Sequence, residues 1–201
     1  MPIRADGITP PSESSYDPGC DAAWVWAVAR RDPDLCFRRL AEHDSIHLQA
    51  AVPPRLAARF LLLDAERVFV RACARIAYAA SLTPVPDLAR LGEWLLERVD
   101  EAADDCLRTD EELLERGVEL EDPLEHHAQY HWTFMVPIPG VLEASVRFNG
   151  LSEITRRSFF ALLIDQHSVE DVLAMGLGPA EVLRDRVRAA LNAAAGIASE
   201  D

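Results

Sequence analysis

Lysine is absent from this chain. All 20 basic residues are arginine, set against 34 acids, which leaves a formal net charge of −14. The missing lysine accompanies a high alanine content and is a compositional bias without direct functional meaning. The charge balance does carry meaning. It excludes tight autonomous binding to nucleic acid over a basic stripe, because the counterion release that drives such binding requires cations on phosphates. Long apolar runs are lacking too. None approaches the ~20 residues of a membrane-spanning helix, and the N-terminal stretch MPIRADGITPPSESSYDPG has no apolar signal core. A cytoplasmic protein with no membrane partner is therefore expected, its first 18 residues forming a disordered leader. The four cysteines, Cys20, Cys36, Cys73 and Cys106, contain no CxxC. That spacing suggests neither a zinc knuckle nor a disulfide framework and fits small buried hydrophobes. No Gly-rich phosphate loop, GxSxG elbow or Cys/His nucleophile arrangement occurs, so a non-enzymatic protein without cofactor is expected.

Strand signals are nearly absent, and what remains reads as helix. A hydrophobic fraction of 49% over 201 residues supports packed cores in one domain or two small ones. Helices are predicted over 21–31 and 33–51, separated by RRDPD. The pair Pro53-Pro54 is expected to break the chain there. A long amphipathic helix is predicted from Arg55 to about Ala80, with Leu56, Phe60, Leu63, Val68, Val70, Cys73, Ile76 and Ala77 on its apolar face. The loop SLTPVPD follows, then a helix from about Leu88 to Leu107. Between Asp100 and Glu125 stand twelve acids and two arginines, a composition that suits a solvated edge or linker. Trp132, Phe134, Met135 and Val136 can pack, and Pro137 and Pro139 mark a loop before Val141 opens a C-terminal domain.

The stretch from Leu151 to Gly196 reads as three short helices ending in a helix-turn-helix. Ile154, Phe159, Phe160, Leu162 and Leu163 recur at helical spacing after Ser152. Ser168 with Asp171 three residues on forms a capping box. Gly176 and Gly178 stop that helix and Pro179 opens the next, whose Leu183, Val187 and Leu191 are expected to face a core. Such a unit commonly places its last helix on DNA. Its charge argues the other way: from Leu151 to the end, Arg156, Arg157, Arg184, Arg186 and Arg188 face eight acids. Glu181 and Asp185 offer Arg184 and Arg188 intrahelical partners worth only tenths of a kcal/mol.

The histidines suggest a different class of function. His43 and His47, and again His127 and His131, stand four apart with carboxylates nearby, a spacing that on one helix can bring two imidazoles to one metal. Neither pair carries an HExxH or repeated ExxH signature, so no metal site is assigned, and a histidine-ligated metal-dependent helical enzyme ranks as the third reading of function.

The order of these parts resembles the sigma-70 family in its small, two-domain, extracytoplasmic-function-like form. The blocks that carry the resemblance are Phe37–Ala51, Asp64-Ala65-Glu66 leading a helix, Glu93-Trp94-Leu95-Leu96 through Asp105-Cys106-Leu107-Arg108, and Leu151 to Leu191. Together they span about three quarters of the chain. The resemblance implies an all-α fold of two small helical domains. Residues 19–108 would be a region 2-like domain, 109–139 an acidic connector and 140–201 a region 4-like helix-turn-helix domain. It implies core RNA polymerase as partner, with promoter DNA reached through polymerase, or another protein such as an antagonist. Arg156, Arg157, Arg184, Arg186 and Arg188 become candidate DNA contacts. Asp64, Glu66, Arg67, Arg71 and Trp94 become candidate contacts to polymerase or a partner. Departures from the pattern bear on activity. Where the family offers acidic and amide side chains to the polymerase clamp, this chain has Arg67, Val70 and Arg71. Where the family approaches the −10 element with arginine and asparagine, it has Asp100 and Glu101. A degenerate interaction module that has left promoter recognition behind is the second reading. Asp64 and Glu66 would alternatively serve only to start a helix, and Trp94 only to fill a core.

Overall fold

Three aspartates fix where the first helices begin, because each supplies acceptors to amides that have no intrahelical partner. The computed structural model describes residues 18–117 and 140–197. In it, helix α1 spans Pro18–Ala29. Asp32 accepts from the Leu35 amide at 2.9 Å and opens α2, Pro33–His43. Asp44 accepts from Leu48 and Gln49 at 2.7 and 3.0 Å ahead of α3, Leu48–Ala58. Asp64 accepts from Glu66 and Arg67 at 2.8 and 3.2 Å and opens α4, Ala65–Leu82. Helix α5 runs Leu88–Glu115, α6 Val141–Asn149 and α7 Glu153–Phe159. A π-helical turn covers Phe160–Ile164, then come α8, Val169–Ala174, and α9, Ala180–Ala195. The described residues are thus all-helical, with no strand among them.

Pro53 and Pro54 do not end a helix as expected; they lie inside α3. Each ring removes a donor from the helical ladder. The two capped amides at its start and the burial of Leu48, Val52 and Leu56 hold the helix regardless. The break falls later. Arg59 caps α3, Phe60 adopts φ 53°, and Leu61 to Asp64 have no regular secondary structure, so the expected Arg55–Ala80 helix is two elements. The expected 33–51 helix is also two, parted where Asp44 and His47 take left-handed backbone. Helix α5 continues eight residues beyond Leu107, so the acids through Glu115 belong to it and not to a connector. The rest of the expected connector and the leader through Asp17 lie outside the described residues, as do Trp132, Phe134, Met135 and Val136.

Helices α1–α5 enclose the main core, built on Trp26, Leu40, Val52, Val68, Ile76 and Val99. Val68, Cys73, Ile76 and Ala77 are buried on α4 as the periodicity predicts, whereas Val70 is 38% exposed. A second cluster joins Val141, Phe148, Phe159, Phe160 and Ala190, and a third joins Ala161, Val172, Leu177 and Leu183. The π-helical turn begins where adjacent Phe159 and Phe160 are both buried, and both rings lie edge-on or tilted to Phe148 at 5.0 and 6.2 Å. On α9 the buried positions are Leu183, Ala190 and Ala194. Leu191, expected in the core, is 39% exposed, because a strict four-residue repeat drifts around a 3.6-residue helix.

The non-helical segment after α3 joins the halves. Leu62 belongs to the second cluster although it precedes α4. Its amide donates to Asn149 Oδ1 at 3.0 Å, and its carbonyl accepts from Asn149 Nδ2 at 2.8 Å and Ser145 Oγ at 2.5 Å. One amide side chain thus satisfies both backbone groups of an unpaired, nearly buried residue. Replacing Asn149 with Ala strands the Leu62 amide, and we expect a loss of about 2 kcal/mol in denaturant unfolding; a change within error would show that the contact contributes nothing.

Burial also sets the thiol chemistry. It raises Cys36 from its ordinary 9.0 to about 11 and Cys73 to about 12, and raises Cys106 as well; all three are free and buried. The structure bears out the expectation of small buried hydrophobes for these three. Unfolded thiols ionise first, so the unfolded state binds fewer protons and stability falls as pH climbs from the ordinary 9.0 toward about 11 and 12. Iodoacetamide at neutral pH should leave peptides bearing Cys36, Cys73 and Cys106 unlabelled until guanidinium is added. Rapid labelling of the native chain would contradict this.

Candidate functional site

Five acids on α5 face cations from neighbouring elements, and this accounts for residues that the sequence placed at an interface. Arg55 Nε meets Asp100 Oδ1 at 2.9 Å, and Arg59 pairs with Asp100 and Asp104. Arg75 holds Asp105 at 2.7 Å and Glu101 at 2.8 Å, while Arg98 reaches Glu101 at 2.8 Å. Arg67 Nη2 meets Asp110 at 2.7 Å, with the Asp110 side chain only 4% exposed. Asp100 and Glu101, which stand where the family approaches the −10 element with arginine and asparagine, therefore carry charge already matched by Arg55, Arg59, Arg75 and Arg98. Neutralisation by Asp110 and Asp105 raises Arg67 and Arg75 against the opposing effect of burial.

The α4 candidates separate into framework and surface. Asp64 is 5% exposed and caps the helix. Its Oδ2 is buried without a partner. Arg67 is tied to α5 and cannot present a reversed charge to a partner without leaving Asp110. Glu66 is exposed and Arg71 half-exposed, the latter with no ion pair among the described residues. Beside them Val70, Ala74, Tyr78 and Leu82 follow one another at four-residue steps. All are exposed, Tyr78 by 66% and Leu82 by 69%. The sequence reasoning missed this stripe because Val70 was read as core. The four-residue spacing itself was visible.

Trp94 is half-buried against the main core. It lies 4.9 Å from Trp26 at 49°, with the Arg98 guanidinium 5.3 Å over its ring. One edge borders a cavity of about 400 Å³ with Pro86, Arg90, Glu93 and Glu97.

The five C-terminal arginines do not form one surface. Arg156 Nη1 donates to the Asn149 carbonyl at 2.6 Å, its Nε is buried without a partner, and burial lowers its pKa. Arg157 stands 5.9 Å over Phe60. Both serve the join between the halves. Arg186 donates to the Leu177 carbonyl and closes the turn before α9, where Gly176 and Gly178 take φ of 74° and 110°. Arg184 and Arg188 project outward, with side chains 65% and 64% exposed and only distant contacts to Asp185, at 3.4 and 4.0 Å, and Arg157 is exposed as well. The capping box of Ser168 and Asp171 is formed as expected, and it lowers the Asp171 pKa.

His43 closes α2 and His47 precedes α3 with φ 52°, so the expected shared helix face does not exist. His127 and His131 lie outside the described residues. Among the described residues no group of three or more His, Cys, Asp or Glu is arranged to hold a metal ion, and no helix is long and apolar enough to cross a membrane. In comparisons with known proteins, no family model, curated protein or solved structure matches this chain.

Arg67 provides the check on this division of roles. Arg67→Glu places a second carboxylate beside Asp110 and should cost about 3 kcal/mol or more in thermal or denaturant unfolding. The half-exposed, unbridged Arg71→Glu should shift stability by less than about 0.5 kcal/mol. Equal, small effects would return Arg67 to the surface.

Proposed function

We propose that this chain is a divergent sigma-70-like transcription factor that acts with RNA polymerase at promoters. The observation that carries the reading is the exposed α4 stripe of Val70, Ala74, Tyr78 and Leu82, flanked by Glu66 and Arg71. It lies on the helix that, by resemblance, meets the polymerase clamp. An apolar stripe at helical spacing suits a groove or facing helix on a protein partner. The reversed sign at Arg71 alters the charge preference of that contact without removing its apolar centre. DNA contact falls to Arg184 and Arg188, too few cations for autonomous affinity. Promoter binding then depends on polymerase to hold the DNA.

A second reading is supported by a separate observation. Leu163, Ile164, Val169, Leu173 and Met175 are all exposed along the segment leading to the last helix. Apolar exposure of that kind favours a protein-interaction module over a DNA reader.

The two readings part on co-elution with core RNA polymerase from the same host. Under the first, the chain elutes with core, Tyr78→Asp abolishes the complex, and Arg184→Glu with Arg188→Glu removes promoter crosslinking but not polymerase binding. Clean separation from core polymerase would overturn the first reading and leave the second.

A further inference from the structure

A cavity of about 380 Å³ is lined by Trp24 of α1, Arg39 and His43 of α2, and Ser45 of the following turn. Its chemistry differs from the rest of the surface. The arginines facing α5 are bonded to acids, whereas exposed Arg39 has no ion pair among the described residues. His43, four residues on and therefore on the same helix face, has its one ion-pair contact among the described residues with Glu42, at 3.9 Å with both side chains largely exposed. The nearest turn carboxylate, Asp44, is held by the Leu48 and Gln49 amides. Ser45 Oγ is buried and has no hydrogen-bond partner, a condition that costs about as much as a lost hydrogen bond and marks an incomplete site. Left-handed backbone at Asp44 and His47, with φ of 41° and 52°, fixes the turn that carries this hydroxyl. The similar cavity beside Trp94 sets Arg90 against Glu93 and Glu97 and has no such excess of donors.

We propose that the Trp24 cavity binds a small organic anion, its charged head taken by Arg39, His43 and Ser45 and a flat apolar group resting on Trp24. A guanidinium in fork geometry suits either a phosphate or a carboxylate head, and the volume fits a small-molecule ligand. Rotation about χ1 is what brings the Ser45 hydroxyl to the head. The site is independent of polymerase binding.

Calorimetric titration of the full chain with phenyl phosphate, benzoate, inorganic phosphate and neutral phenol tests it. Saturable binding of phenyl phosphate or benzoate is expected, the tighter of the two naming the head group, with inorganic phosphate weaker and phenol undetectable. Arg39→Gln, at an exposed site where circular dichroism should remain unchanged, should weaken that binding by about tenfold. Ser45→Ala should weaken it less. No saturable binding by either aromatic anion, phenol binding as well as they do, or an unchanged affinity in Arg39→Gln would overturn the proposal.

Discussion

Everything in the N-terminal half depends on neutralising α5. A helix that carries Asp100, Glu101, Asp104, Asp105 and Asp110 packs against its neighbours only if cations meet those carboxylates, because an unmatched charge at a packed surface costs several kcal/mol. Arg55 from α3, Arg59 at its C-terminal cap, and Arg67 and Arg75 from α4 supply them. The planar guanidinium makes this possible at two carboxylates at once, as Arg75 does with Glu101 and Asp105. The bias toward arginine thus has a structural use here. Pairs at the rim, such as Arg108 with Glu112 at 4.0 Å, add little. The half-buried ones set the register of α3 and α4 on α5.

That arrangement has consequences for function. Internal pairing withdraws arginine charges together with the carboxylates of α5, so it redistributes surface charge without changing the net charge of −14. It also withdraws Arg67 from the surface that an interaction partner would meet, leaving Arg71 and the apolar stripe of α4. The C-terminal helices show the same economy. Arg156 and Arg186 hold the join or the turn, whereas Arg184, Arg188 and the exposed Arg157 remain at the surface.

The join itself is small and polar at its centre. Leu62 enters the second hydrophobic cluster while Asn149 and Ser145 satisfy its backbone. Such a segment must lie outside a helix, because helical backbone would have no free amide and carbonyl to offer. This is why the chain leaves helix at Arg59, although Arg55 to Ala80 has amphipathic periodicity throughout. Periodicity reports that residues prefer one face of a helix, and Leu61, Leu62 and Leu63 satisfy burial equally well without one.

By itself, the sequence determined the helical class, the capping box at Ser168, the turn at Gly176 and Gly178, the loop before Leu88 and the burial of Cys36, Cys73 and Cys106. Each follows from local chemistry: capping oxygens, glycine's tolerance of positive φ, proline's fixed φ, and the scarcity of water-seeking atoms on a thiol. Tertiary structure alone decided that Pro53 and Pro54 stay inside a helix, that acids through Glu115 continue α5, and that His43 and His47 share no helix. It also decided which arginines are framework and which are surface. An arginine and a carboxylate more than forty residues apart, as Arg67 and Asp110 are, leave no mark in a local pattern, and their pairing depends on how two helices pack.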